Sequence, residues 1–516
     1  MGIYRAVGAD GPAPAATLGC DSTWGGLFVG GWVVAQWLRL KNAQAVPKSA
    51  IPTVHMTELT ETMAQLIGSG HRVVQFCGRR EEKDNSVMVT AVLADDAATR
   101  LLICQANPRA SYSYDAISTR VPGMGLFERE LWEQTGIVPN GHPDLRPLRI
   151  RSTATDVSCD VDIGPVHGSA TEPYRLRFQC HGQEVYHADL DFGYQHRGVE
   201  ALFKQGRVMN KAHLAESVVG DSAVAHAWAY AMAMESLSGT YISMRAEIIR
   251  AVALELQRIA MHLSSLAGIS ASIGFSAGVA NYGRLRSEVF DMLLMLCGNR
   301  HGRGLIRPGG VLFDVDEALR EHIMAGMERL HRDTEAINAY LLDSPGVLAH
   351  LQGSAAIGTE LAWKAGIVGV AAKASGLPID CRADQPFGIY RKDKVVARLL
   401  TQCDTYARVK VRALEIDDSI ALVRKWLSYG FMVGDVMAAE ALPVADRIVV
   451  SMVEGWRGAV CHMVTTTSNS EVEHYKVVDA SFYNWGAVAL AMRGASVTDL
   501  PLCTRGFDLS PCGVDL

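Results

Sequence analysis

No two of the eleven cysteines stand in C-x-x-C spacing, and their number is odd. Their scatter over Cys20, Cys77, Cys104, Cys159, Cys180, Cys297, Cys381, Cys403, Cys461, Cys503 and Cys512 excludes a disulfide framework and a zinc ribbon. It fits buried thiols in a reducing compartment, so the cytoplasm is expected. No uninterrupted run of about 18 apolar residues occurs, which argues against a transmembrane helix. The nearest stretch, Trp24 to Trp37, is broken by glycine. With only Arg5 ahead of it and no cleavage site behind, it does not read as a signal peptide either. There is no basic excess: the net charge is −6 and the pI about 6.2, which excludes nucleic acid as the expected partner. Internal repeats and low-complexity segments are also lacking.

What is present is ordinary globular composition, 49% hydrophobic and 20% charged over 516 residues, enough for two or three cores. Residues 1–55, rich in Gly, Ala and Pro and carrying Trp24, Trp32 and Trp37, are expected to form an extended arm. Residues 56–150 alternate an amphipathic helix at Glu58–Leu66 with β-rich runs at Arg72–Phe76, Val87–Leu93 and Thr99–Cys104, an α+β domain. It ends in a charged helix, Phe127–Ile137, and the turn Gly141-His142-Pro143-Asp144-Leu145-Arg146, which by composition is a solvated connector. Residues 151–516 turn to long helices. Arg245–Leu266 spaces Ile248, Val252, Leu256, Ile259, Leu263 and Leu266 three or four apart, with Glu247, Arg250, Glu255 and Arg258 off the stripe, so one face should meet a core. Ala223–Met234, Ile323–Leu342 and Val395–Trp426 read as further helices. The fold class expected is α+β, a small N-terminal α+β domain followed by a mainly helical domain with a small β element at its start.

Several motifs carry polar residues at fixed spacing. Gly164-Pro165-Val166-His167 is by itself a turn with a structural histidine. Gly193 to Glu200, containing Tyr194, His196 and Arg197, reads as a strand-to-helix turn held by charge-assisted hydrogen bonds, with structural and functional readings of equal weight. Asp380-Cys381-Arg382-Ala383-Asp384-Gln385-Pro386-Phe387 offers Arg382 and Asp384 as a bidentate pair, either buried for structure or lining a cavity. Ile306 to Val311, Cys403 to Arg412, Glu454-Gly455-Trp456-Arg457-Gly458 and Met492 to Leu502 complete the set.

In this order and spacing the motifs resemble the large subunit of group 4 membrane-bound nickel–iron hydrogenases, of the formate hydrogenlyase and hydrogenase-4 type. These are homologous to fused peripheral-arm and quinone-site subunits of respiratory complex I. The resemblance spans roughly residues 60–516. It implies an oxidoreductase complex in which His167 is the acid–base candidate, Arg457 overhangs the metal position, and Arg382, Asp384 and Asp221 complete the site. His226, Gly220 and Ser272 would face a cofactor.

Against this resemblance two ligand pairs are missing. The family's first C-x-x-C pair falls on Val219 and Ser222, the second on Ser510 and Gly513, with Cys512 displaced by one position. Soft thiolates are what such a metal site needs, and valine, serine and glycine do not supply them. No cofactor is therefore expected in this chain, and an iron–sulfur cluster is expected in a partner. Gly220 stands at the tyrosine position and Ser272 at the aspartate position that the complex I relatives use for quinone, so the usual quinone chemistry is unsupported too. The favoured expectation is a metal-free hydrogenase-like subunit of an energy-converting complex, peripheral on the cytoplasmic side of the membrane. Its implied partners are an iron–sulfur small subunit, membrane-embedded antiporter-like and anchor subunits, and a quinone or other small electron acceptor. Three alternatives stay open: a quinone-reducing NADH dehydrogenase-like subunit, a hydrogenase with rearranged ligands drawn from Cys503, Cys512, Cys297 or Cys461, and a non-catalytic adaptor. Asp221 reads either as a proton carrier or as an aspartate paired with a nearby arginine.

Overall fold

The computed structural model describes residues 28–29, 32–33, 37–81, 86–108, 112–149, 161–167, 172–429, 434–439 and 441–516. Trp24 and the side chain of Trp32 lie outside the described residues. Strands Leu38–Leu40 (β1) and Val46–Pro47 (β2) precede helix Met56–Gly68 (α1), and strands Arg72–Arg80 (β3), Val87–Asp95 (β4) and Arg100–Ala106 (β5) follow it. The sheet runs β1-β5-β4-β3 with antiparallel neighbours. Helix α1 buries Met56, Leu59, Met63, Leu66 and Ile67, a stripe of three- and four-residue spacing.

Helix Gly125–Thr135 (α2) corrects the connector reading: Glu128, Arg129 and Glu130 are buried. Glu128 accepts the backbone N–H groups of Ile117 and Ser118 at 2.7 and 3.1 Å, and Arg129 donates to the carbonyls of Arg146 and Pro147 at 2.8 and 3.0 Å. Glu130 receives both Arg149 and Lys476, the latter from the far end of the chain. The charged face is buried because its partners come from elsewhere in the fold. A charge leaves water only where such partners are supplied.

The second part begins with a three-stranded antiparallel sheet, Val161–Ile163 (β6), Arg175–His181 (β7) and Glu184–Asp191 (β8). Its helical body is Ala223–Ser238 (α3), Met244–Ser272 (α4), Ser276–Cys297 (α5), Glu317–Asp343 (α6) and Thr405–Ser428 (α7). A further sheet, Arg447–Glu454 (β9), Ala459–Thr466 (β10) and Val472–Val478 (β11), is followed by helices Ala480–Met492 (α8) and Leu500–Phe507 (α9). The α+β class holds. The late sheet escapes a periodicity search because β10 is buried at every position and so does not alternate.

Three further expectations are corrected. The arm of residues 1–55 is docked from Trp37 onward: β1 joins the first sheet, β2 joins the edge of β9, and buried Asn42 exchanges two hydrogen bonds with Met452, at 2.8 and 2.9 Å. Helix α4 is not one-sided, since Arg250, Glu255 and Arg258 are as buried as its apolar stripe. Helix α7 begins at Thr405 and not near Val395. Cys403 adopts a left-handed φ of 64°, and the Asp404 side chain caps the first turn by accepting from Ala407 N at 2.9 Å.

Candidate functional site

Three segments meet at the candidate site: residues 216–226 leading into α3, the turn after β9, and the C-terminal stretch after α9. The turn Glu454-Gly455-Trp456-Arg457-Gly458 carries Arg457 with its guanidinium 4.0 Å from the centre of the Trp456 ring. Arg457 grips Asp221 with both terminal nitrogens, at 2.6 and 2.7 Å, and its Nε donates to the carbonyl of Asp508. Two residues singled out from the sequence are thus one bidentate ion pair. Asp221 is spoken for by an arginine, the second of its two readings.

Behind this pair lies a buried chain of polar side chains. Asp479 accepts from His226 at 3.2 Å, His226 Nδ1 meets His462 Nε2 at 3.0 Å, and His462 Nδ1 meets the Tyr475 hydroxyl at 2.8 Å. All four groups are buried. A neutral imidazole has one donor and one acceptor nitrogen, so an ionised Asp479 at one end fixes the direction of the whole chain. Tyr475 donates to His462, His462 to His226, and His226 to Asp479. Burial disfavours the Asp479 charge, but the His226 hydrogen bond and the Arg457 charge hold its pKa down to about 2. Burial and the neighbouring His226 push His462 well below the usual histidine range, which keeps it neutral. The arrangement can pass a proton along its length by successive donor-to-acceptor shifts. His462 and Asp479 were not among the sequence candidates. The available signal was one histidine inside the apolar strand β10 and one aspartate ahead of α8, whose first turn it caps by accepting from Ser481 N at 2.8 Å.

The C-terminal stretch is held by its polar groups. Ser510 donates to Glu172, Cys512 Sγ lies 3.5 Å from Glu172 and 3.3 Å from Gln195 Oε1, and Asp515 accepts from Gly193 N and Gln195 N at 2.7 and 2.8 Å. Burial and Glu172 push the Cys512 thiol up to about 12, so it stays protonated. His167, half-buried, donates from Nε2 to the Tyr174 carbonyl at 2.9 Å and stacks obliquely on that ring at 4.5 Å. Tyr174 in turn meets Trp485, whose indole N–H points at the Ser510 carbonyl at 3.3 Å. His167 is therefore linked to the C-terminal stretch through two rings, and Arg457 and Asp221 are not among its partners.

Arg382 and Asp384 do not form the expected pair. Arg382 binds Asp380 at 3.0 and 2.8 Å and Glu255 at 3.2 Å, while Asp384 accepts from Asp380 N at 2.8 Å. A four-residue helix places 382 and 384 on different sides, which leaves 380 as the partner within reach. Around Arg382 a buried ionic knot gathers Lys373, Glu415, His262, Arg258 and Glu255. In it Lys373 lies 2.8 Å from Asp380 and 2.6 Å from Glu415, and His262 lies 2.7 Å from Glu415. Asp384 stands at the edge of the knot, where burial and Asp96 push its pKa up to about 7. Ser272 is exposed at the end of α4 and bonds back to Gly268 O at 3.1 Å, outside the buried groups. Gly220 lies under Arg303, whose Nη2 is 3.1 Å from the place a Cβ would occupy.

Two family models match, that for the respiratory-chain NADH dehydrogenase 30 Kd subunit over residues 52–164 and that for the 49 Kd subunit over residues 272–441. Together they span more than half of the chain. The chain carries the two complex I subunit domains in that order, and its relatives include membrane-bound hydrogenase subunits. Formate hydrogenlyase subunit 5 of Escherichia coli (strain K12) is 28% identical over 77% of this chain and 76% of its own length. Hydrogenase-4 component G of the same strain is 26% identical over 86% and 80%. The membrane-bound hydrogenase subunit alpha of Pyrococcus furiosus is 26% identical over 68% and 86%. Among solved structures, a chain of an archaeal respiratory membrane complex, the membrane-bound sulfane sulfur reductase, shares the fold with a TM-score of 0.65 at 21% identity, over 69% of this chain and 98% of that one.

The family's nickel–iron group does not fit the residues found at its position. Val219 is packed among apolar side chains with Val218 and Cys512, and Ser510 is engaged with Glu172. A Cβ at Gly513 would lie 2.4 Å from Asp479 Oδ1, so a cysteine side chain has no room there while Asp479 stays in place. The remaining thiol, Cys512, is protonated and one position out of step. Soft-metal coordination needs converging thiolates, and this donor set does not converge any.

Proposed function

We propose that this chain is a hydrogenase-like large subunit, metal-free at the nickel–iron position, in a membrane-associated energy-converting complex. It would receive or deliver electrons through an iron–sulfur small subunit and couple their transfer to ion movement through membrane-embedded antiporter-like and anchor subunits. A small electron acceptor, quinone or otherwise, would occupy the space beside Arg457. The observation that carries this reading is how the surroundings of the ancestral ligand positions are filled: Asp479 takes the room beside Gly513, and Asp221, between Val219 and Ser222, is paired with Arg457. Among the described residues no helix is long and apolar enough to cross a membrane, so attachment would be peripheral, through partners on the cytoplasmic face. In this reading the Tyr475–His462–His226–Asp479 chain supplies or removes the proton that accompanies electron transfer.

The test is nickel and iron content of the protein purified with its native partners, together with dye-linked hydrogen uptake. Iron without nickel and no uptake is the expected result. About one nickel per chain with uptake activity would overturn the reading and return attention to Cys512 and Cys503.

A further inference from the structure

The loop between α5 and the Ile306-Arg307-Pro308 turn presses against the segment that once carried the first ligand pair. Gly304 N donates to Glu216 Oε1 at 2.9 Å, a Cβ on Gly302 would strike Val224 at 2.5 Å, and Arg303 overhangs Gly220. Gly302 has a φ of 73°, so glycine is required there both for space and for conformation. Asn299 Oδ1 shapes the loop by accepting from His301 N and Arg303 N at 2.9 and 3.4 Å.

The charges along this seam do not balance. Glu216 is taken by Arg307 at 2.7 Å and Asp221 by Arg457. Arg303 Nε, His301 Nδ1 and Arg286 Nε are buried without a hydrogen-bond partner. Arg286 lies 5.6 Å from the centre of the Phe290 ring, and the same ring packs edge-on against His301 at 5.1 Å. Burial lowers the pKa of His301, and the charges it senses are Arg303, Asp221, Arg286 and Arg300. Among the described residues Arg303 and Arg286 have no carboxylate in ion-pair reach, and both charges act on one histidine beside the Asp221–Arg457 pair. Unpartnered arginine nitrogens occur elsewhere in the fold too, at Arg408 and Arg412 among others; here two flank one histidine beside the segment of the first ligand pair, and an anion would complete them.

We propose that Arg303, His301 and Arg286 form a binding site for a small oxyanion at the former metal position. The Arg303 fork would take two oxygens of the anion, and His301 and Arg286 would bound it on the α5 side. The inference rests on the reading that no metal occupies this position, and it names the class of ligand that replaces it. The lack of a side chain at Gly220 is what lets the guanidinium sit there.

The experiment is calorimetric titration of the protein, purified with its partners in an oxyanion-free chloride buffer, with formate, bicarbonate and sulfate in turn. Saturable binding of at least one is expected, weakened about tenfold or more by Arg303→Gln, as expected for loss of a charge-assisted hydrogen bond, and less by Arg303→Lys. Arg286→Gln, on a different element, should weaken the same anion and serves if Arg303→Gln fails to fold. No saturable binding to the unaltered protein, or unchanged affinity in both glutamine variants, would overturn the proposal. Nickel found by elemental analysis would sink the metal-free reading by itself, and absent anion binding in a nickel-free protein would sink only this one.

Discussion

Two charged regions of the protein, each gathered from distant parts of the sequence, behave oppositely. In the knot around Arg382 each buried cation meets a carboxylate: Lys373 has Asp380 and Glu415, Arg258 has Glu255, and Arg382 has Asp380 and Glu255. Along the seam at Gly220 Arg457 and Arg307 are matched, and Arg303 and Arg286 keep open donors. The knot's cations are all matched, though His262 Nδ1 has no hydrogen-bond partner, and two of the seam's cations are not. Taking charges out of water is tolerable only where partners return the lost solvation, so a closed network reads as structure and an open one as a place for a ligand. The motif Asp380 to Phe387, which by sequence could as well have lined a cavity, lies in the knot.

The comparison breaks first if the knot proves dispensable. Lys373→Met leaves Asp380 and Glu415 short of a buried cation and should cost about 3–5 kcal/mol, read as a lower midpoint in chemical denaturation; a loss below about 1 kcal/mol would mean the network is not closed in solution. Tyr475→Phe removes the hydroxyl that donates to buried His462 Nδ1 and should cost about 1–3 kcal/mol by the same measurement. If that variant also slows proton-coupled electron transfer in the complex, the relay gains a functional reading beyond its structural one.

Asp221→Asn is expected to cost less, about 1 kcal/mol, since the carboxylate is one-third exposed. Because it removes the carboxylate and leaves the Arg457 charge uncompensated at the open seam, it should also tighten oxyanion binding, and weaker binding would contradict the comparison. A separate effect is on pH dependence. Asp384 has a folded-state pKa of about 7, above its unfolded value of about 3.9. The folded chain therefore holds a proton that the unfolded chain has released. Its contribution to stability is lost as pH rises from about 4 to about 7 and is flat beyond. Asp384→Asn should remove this slope in denaturation midpoints measured across that range. An unchanged slope would place the titration elsewhere.

Where apolar residues kept a helical or alternating period, the sequence was readable: α1, α6, β3 and β4 fall where the pattern puts them. The reading failed where polar residues are buried. The charged helix α2 has the composition of a surface connector and becomes an interior rivet because Lys476 arrives from more than three hundred residues away. Likewise Arg382 and Asp384 are adjacent enough to suggest each other, yet the side chain of Asp380 is the carboxylate that Arg382 binds. His462 and Asp479 lie in stretches whose composition is that of core, and only their proximity to His226 makes them part of the site.

Family, fold class and the missing thiolates were determined by the sequence alone, since each depends on residue type at a given position or spacing. The order of side chains is enough to say that Val219, Ser222, Ser510 and Gly513 are not cysteines. What stands in their place was decided only by tertiary structure. Asp479 fills the space beside Gly513, Arg457 reaches Asp221, and Arg303 settles over Gly220, each pairing residues tens to hundreds of positions apart. The physical reason is that a buried charge takes its partner from whatever the fold brings within about 4 Å, and sequence distance carries no information about that.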